Sequence, residues 1–159
     1  MTLARLISAA AFAALVSAPV YALDVKKEAS VPASPKAAWA ALGDFCGIAD
    51  WHPAVTKCEL SMQDKAIYRT LTLKGDAILV EKLLSWNAAH HRYSYSIISG
   101  PLPVDNYRST ISVEKGKKGT VIRWVGKFDA KGAPDDKAVE AIAGVYQGGL
   151  DSLVKKLTK

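Results

Sequence analysis

The chain has little of what reactive sites are made from. Its 159 residues hold two cysteines, three histidines and two methionines, with no Gly-x-Ser-x-Gly elbow and no His-Glu-x-x-His pair among them. The run Gly116-Lys117-Lys118-Gly119-Thr120 lacks the spacing and strand-to-helix setting of a phosphate loop and reads as a hairpin turn. Nothing forces a cofactor, and no metal site is implied. Charge of one sign is also never concentrated. The 21 Lys and Arg outnumber the 15 Asp and Glu to give +6, yet they lie scattered along the chain without a basic run, which argues against nucleic acid. An acidic protein surface or anionic lipid fits this charge better, and plain solubility accounts for it equally well.

Long apolar runs are confined to the start. Arg5 gives a positive beginning, Leu6 to Val16 is apolar, and Val20-Tyr21-Ala22 ends in small residues placed as in a cleavage site. Residues 1–22 therefore read as a signal peptide cleaved after Ala22, which predicts export to the periplasm. Ser8, Ser17 and Pro19 break the run too often for a membrane anchor. Arg5 is the one charged side chain removed, so the remainder carries +5. Residues 23–159 fit a single domain, and no membrane span is expected in it. In an oxidising compartment Cys46 and Cys58 read as a structural disulfide. Zinc would ask for more ligands, and a redox pair usually reads Cys-x-x-Cys.

What the chain does have is strand pattern closed by one long helix. Asp24 to Val31 reads as a first strand. Ser34 and Pro35 open a short helix to Gly43, and a second short helical segment spans Asp44 to Trp51. Strands follow at Val55–Met62, Ala66–Lys74, Ala77–Trp86, Arg92–Ser99, Asn106–Lys115 and Thr120–Asp129. Connections this short predict an antiparallel meander of seven strands in all. From Pro134 to Leu157, Val139, Ile142, Tyr146, Gly149, Leu150, Leu153 and Leu157 recur every three or four positions. They form the apolar stripe of a helix that must cover the sheet's concave face. Gly144, Gly148 and Gly149 each disfavour that helix by about 1 kcal/mol relative to alanine, so a close backbone approach or open space for a ligand is expected beside them.

Charge settles one register. A three-residue loop Lys74-Gly75-Asp76 sets Leu71 against Leu79 and Arg69 against Glu81, whereas a two-residue loop would set Arg69 against Lys82. The first register places an ion pair on an otherwise apolar face. If it faces a cavity it anchors a ligand's polar group; otherwise it is a structural pair at the sheet's end. Alternation in the later strands turns Tyr93, Tyr95, Tyr107, Ser109, Ile111, Ile122, Trp124 and Phe128 inward. An inner face so rich in hydroxyl and indole groups suits a partly hydrated pocket. The expected ligand-binding residues are Arg69, Glu81, Tyr95, Tyr107, Trp124 and Tyr146. His52 and Glu81 are weak candidates for a general base, and a surface or capping role suits His52 better. His90 and His91 point to opposite faces and do not chelate one metal easily. Ser99 to Val104, with two prolines, forms a stiff loop that is either a pocket rim or a docking surface.

The order strand, two short helices, six strands and long helix resembles the helix-grip fold of the START-like (SRPBCC) superfamily, which includes the birch-pollen allergen type. Val31-Pro32-Ala33-Ser34-Pro35 with Trp39, Asp44-Phe45 and Asp50-Trp51-His52-Pro53 resembles the opening of its polyketide cyclase/dehydrase-like members. The resemblance implies an α+β fold, a seven-stranded curved antiparallel sheet wrapped on a long C-terminal helix, with a cavity between them. Phe45-Cys46-Gly47 and Ser99-Gly100-Pro101-Leu102-Pro103 are similar to a periplasmic branch that includes an accessory protein of bacterial methanol oxidation. By that resemblance the chain is a non-enzymatic protein that binds a small apolar or amphipathic molecule, or docks an acidic periplasmic redox partner. A cyclase- or dehydrase-type enzyme using the same cavity is the alternative.

Overall fold

The computed structural model describes residues 22–159; the expected signal peptide, apart from Ala22, lies outside them. Strand β1 (Leu23–Val31) stops at Pro32, and the Ser34 hydroxyl accepts the Ala37 N–H at 3.2 Å to cap α1 (Pro35–Leu42). Gly43, at φ 73°, ends that helix in a conformation only glycine adopts freely. The second helical segment is one 3-10 turn, Gly47–Asp50. Asp44 Oδ1 takes the N–H groups of Cys46 and Gly47 at 2.8 and 3.0 Å, a local bond that competes with helix formation.

Strands β2 (Val55–Gln63), β3 (Ala66–Leu73), β4 (Ile78–Asn87), β5 (Arg92–Ser99), β6 (Val104–Lys115) and β7 (Thr120–Ala130) follow as an antiparallel meander. The sheet order is β1-β7-β6-β5-β4-β3-β2, so β1 closes on the last strand. Asp64 and Lys65 both take positive φ in the β2–β3 turn, as a two-residue hairpin requires. Between β3 and β4 the expected three-residue loop forms, and Arg69 pairs with Glu81 and Leu71 with Leu79. Bulges interrupt β4 against β5 and β6 against β7, and such bulges bend a sheet.

The closing helix α2 (Asp135–Leu157) begins with Asp135 and Asp136 and ends with Lys155 and Lys156, the order its dipole favours. It packs on β1 and β7 and buries Ile142, Tyr146, Gly149, Leu150 and Leu153. Gly149 repays its poor helix propensity: a Cβ there would stand 2.7–2.9 Å from His52, Trp124 and Trp51. Gly144 meets nothing within 4 Å. Cys46 and Cys58 are disulfide-bonded, which ties the loop after α1 to β2. No described helix is long and apolar enough to cross a membrane.

Candidate functional site

Two features occupy the concave face, a knot of hydroxyl groups and a small apolar cavity. The knot forms where β5, β6 and β7 face α2. Trp124 Nε1–H lies 3.0 Å from both the Tyr95 hydroxyl and Ser109 Oγ, and Ser109 Oγ donates to the Val125 carbonyl at 2.9 Å. The Tyr146 hydroxyl lies 2.5 Å from that of Tyr107 and 2.9 Å from Ser109 Oγ. Tyr146 also stacks on Trp124 with centroids 4.5 Å apart. The polar ends of Tyr95, Tyr107, Trp124 and Tyr146 thus meet one another and Ser109. Burial pushes Tyr146 up to about 12 and Tyr95 and Tyr107 well above the usual phenol value, so these groups stay neutral.

Gly126 makes the knot possible. A Cβ there would collide with the Tyr146 hydroxyl. The sequence reading missed this contact, although an isolated glycine at an inward strand position, between Trp124 and Phe128, signals a close approach.

Beside the knot, between β3, β4, β5 and the middle of α2, lies a cavity of about 60 Å³. Its wall is almost wholly apolar, with Leu71, Leu79, Ile97 and Leu102 on the sheet and loop side and Ile48 and Val145 opposite. Of the residues expected to line a pocket, Glu81, Tyr95, Tyr107 and Trp124 reach this wall, while Arg69 and Tyr146 stand behind it.

Arg69 and Glu81 form an ion pair at 2.5 Å, and their residues are 0% and 3% exposed. The pair therefore sits in the core, where no surface water screens it. Arg69 Nη1 donates to the Phe45 carbonyl at 2.5 Å, and the guanidinium lies 4.1 Å from the Phe45 ring and 5.0 Å from that of Tyr95. Arg69 thus ties the loop after α1 to the sheet, a tie the sequence reading did not contain. Its Nη2 has no hydrogen-bond partner among the described residues. Burial raises the Glu81 carboxyl above its ordinary value, and Arg69 pulls part of that rise back. Glu81 spends Oε2 on Arg69. The Glu81 residue also borders the cavity.

His52 also borders the cavity, but both ring nitrogens are engaged. Nδ1 accepts the Ala54 N–H at 3.2 Å, so the proton sits on Nε2, which donates to the Val145 carbonyl at 3.0 Å. Burial lowers its pKa. The ring is a neutral staple between the chain before β2 and α2, and no lone pair is left to take a proton from a ligand. Among the described residues no three His, Cys, Asp or Glu side chains converge on a point where a metal could sit.

A family described as "Polyketide cyclase / dehydrase and lipid transport" matches residues 22–158. No curated protein matches the chain. Among solved structures it is similar to the protein XoxI from Bacillus cereus. The two share 28% identity over 84% of this chain and 94% of that one, with a TM-score of 0.79. The Zhui aromatase/cyclase of a Streptomyces species shares the fold at 17% identity, covering 86% of this chain and 93% of its own, with a TM-score of 0.67. Ara h 8.0201 does so at 18%, covering 86% and 98%, with a TM-score of 0.69.

Proposed function

The chain belongs to the polyketide cyclase / dehydrase and lipid transport family, and from that premise we propose that it binds a small apolar molecule bearing one hydrogen-bond donor. One observation carries this reading: an almost wholly apolar cavity wall includes one carboxylate residue, Glu81, while the hydroxyls of Tyr107, Tyr146 and Ser109 bond to one another. A hydroxyl or amine donating to the Glu81 carboxylate would gain a charge-assisted bond in a dry setting, and the rest of the ligand would gain apolar contact. Non-enzymatic binding fits this better than cyclase or dehydrase chemistry. His52 has no free lone pair, and Glu81 Oε2 is already engaged by Arg69.

Export to the periplasm belongs to the same proposal. It is supported by the leader pattern ending at Ala22 and by the Cys46–Cys58 bond. A second reading, accessory docking to an acidic periplasmic redox protein, is supported by the charge of +5 that remains once Arg5 leaves with the leader. An uncovered apolar patch at the end of β2 and β3, made by Leu60, Met62 and Ile67, adds to that support. Native mass spectrometry of protein purified from its own periplasm, at low and then high salt, tests both readings. A bound small molecule that survives high salt supports the cavity reading. An acidic protein that leaves at high salt supports docking. An empty, solitary protein in both conditions overturns both.

A further inference from the structure

The two edges of the sheet differ. β1 carries Lys26, Lys27 and Glu28 and has α2 packed on it, devices that keep an edge from pairing further. β2 is the opposite edge, and it bears apolar side chains in the open: Leu60 is 52% and Met62 72% exposed. With Ile67 of β3 they bound one shallow apolar hollow, and Leu60 and Ile67 continue into a second with Phe45, Leu83 and Trp86. Leu60, Met62, Ile67 and Trp86 thus make one open apolar stretch at this edge, the kind of surface that marks an interface.

The backbone of this edge is unpaired in a definite pattern. Gln63 pairs with Ala66 across the two-residue turn Asp64-Lys65, and the pair that flanks such a turn exchanges both of its N–H to C=O bonds. Counting back along β2, Ser61, Glu59 and Lys57 turn their backbone groups to β3, while Met62, Leu60 and Cys58 turn theirs outward. The free backbone groups and the open apolar side chains belong to the same residues, and an added strand engages both at once. Charge says which strand. Lys57, Glu59, Asp64 and Lys65 of the hairpin cancel, so the chain's positive excess lies elsewhere and neither an acidic strand nor an anionic lipid surface finds a complement here. A copy of the same strand, carrying the same balance, does.

We propose that the chain forms a two-fold homodimer by antiparallel pairing of β2 with β2 of a second copy, which joins two seven-stranded sheets into one. Regular pairing on β2 runs from Lys57, just past the bulge, to Gln63 at the turn, and the centre of that run is Leu60. An axis at Leu60 sets Leu60 against its own copy and Met62 against Cys58, apolar on apolar on the inner face. On the outer face Glu59 meets Ser61 and Lys57 meets Gln63, with no like charges opposite. An axis at Glu59 would set that carboxylate against its own copy, and an axis at Ser61 would shorten the run. The interface uses one patch on both copies, as a two-fold dimer requires. It is independent of the cavity reading and stands or falls without it.

Sedimentation velocity of the purified protein over a wide concentration range reads the equilibrium between monomer and dimer. Leu60→Lys and Leu60→Glu each place like charges on the axis and should weaken the dimer by at least about a hundredfold; the side chain is half exposed, so the monomer keeps its fold. Mixing the two variants sets opposite charges on the axis and should restore a heterodimer. Ile98→Lys, on an equally exposed apolar residue away from β2, should leave the equilibrium unchanged. Hydrogen exchange should show the Leu60 and Met62 amides slowing as concentration rises while that of Ser61, already bonded to β3, does not. A monomer at every concentration, or a dimer that Leu60→Lys leaves intact, overturns the proposal, and a mixture of the two variants that stays monomeric overturns the axis at Leu60. A monomer that binds phosphatidylglycerol vesicles or an acidic protein through Leu60 also overturns it, and gives the patch to that partner instead.

Discussion

Replacing Arg69 with methionine removes a guanidinium that is fully buried, ion-paired with Glu81 and bonded to the Phe45 carbonyl. Methionine fills much of the volume but leaves a carboxylate in the core and a carbonyl without its donor. Breaking a buried pair from one side costs about 3–5 kcal/mol. At about 3 °C per kcal/mol for a chain of this size, that lowers the melting temperature by roughly 10–15 °C.

The loss has a definite pH dependence. Burial raises the Glu81 pKa and Arg69 offsets part of the rise, so without Arg69 the pKa rises further. A carboxyl whose folded pKa is raised keeps its proton in the fold after the unfolded chain has released it. Its contribution is therefore full below the ordinary value of 4.5 and is lost as pH rises through the folded value. Arg69→Met should be much less destabilised in acid than at neutral pH. The double variant Arg69→Met/Glu81→Leu, with no charge left to strand, should recover most of the stability at both. Urea denaturation across pH measures all three proteins. A loss below about 1 kcal/mol, or a double variant less stable than the single one, would refute the reasoning.

Other perturbations follow from the same geometry. Burial lowers the His52 pKa below its ordinary 6.5, so below that value the unfolded chain takes a proton the fold refuses. Stability should then fall as pH drops from 6.5 through the folded value, and His52→Gln should remove that slope in urea melts. Gly149→Ala forces a Cβ against His52, Trp124 and Trp51 and should cost about 1–3 kcal/mol. Gly144→Ala enters open space and should stabilise by up to about 1 kcal/mol; thermal melts of the pair read the difference in sign. Reducing Cys46–Cys58 should lower stability by about 3 kcal/mol on the loop-entropy account, measured by denaturation with and without reductant.

Much of the fold is legible in the sequence because strand alternation and turn chemistry are local. The hairpin that sets Arg69 against Glu81 follows from charge alone, and the inward set from Tyr93 to Phe128 follows from a period of two. The second short helix is only one 3-10 turn because Asp44 bonds its neighbours, a competition that propensity does not reveal. The site was less legible. Alternation shows that Tyr95, Tyr107 and Trp124 point inward, yet whether their polar ends meet water, a ligand or each other depends on distances across four elements. The bond from Arg69 to the Phe45 carbonyl joins positions whose pairing no local pattern encodes.

The hydroxyl knot divides the sheet into a half that holds and a half that varies. Tyr107, Ser109, Trp124 and Tyr146 depend on one another for their polar partners, so a change in one strands the rest. Across the cavity, Leu71, Leu79, Ile97 and Leu102 offer only apolar side chains to the wall, and exchanging them for other aliphatics reshapes the space without stranding a polar side chain. Descendants of this chain can therefore drift in ligand preference along β3, β4 and the β5–β6 loop while the knot keeps the scaffold in place.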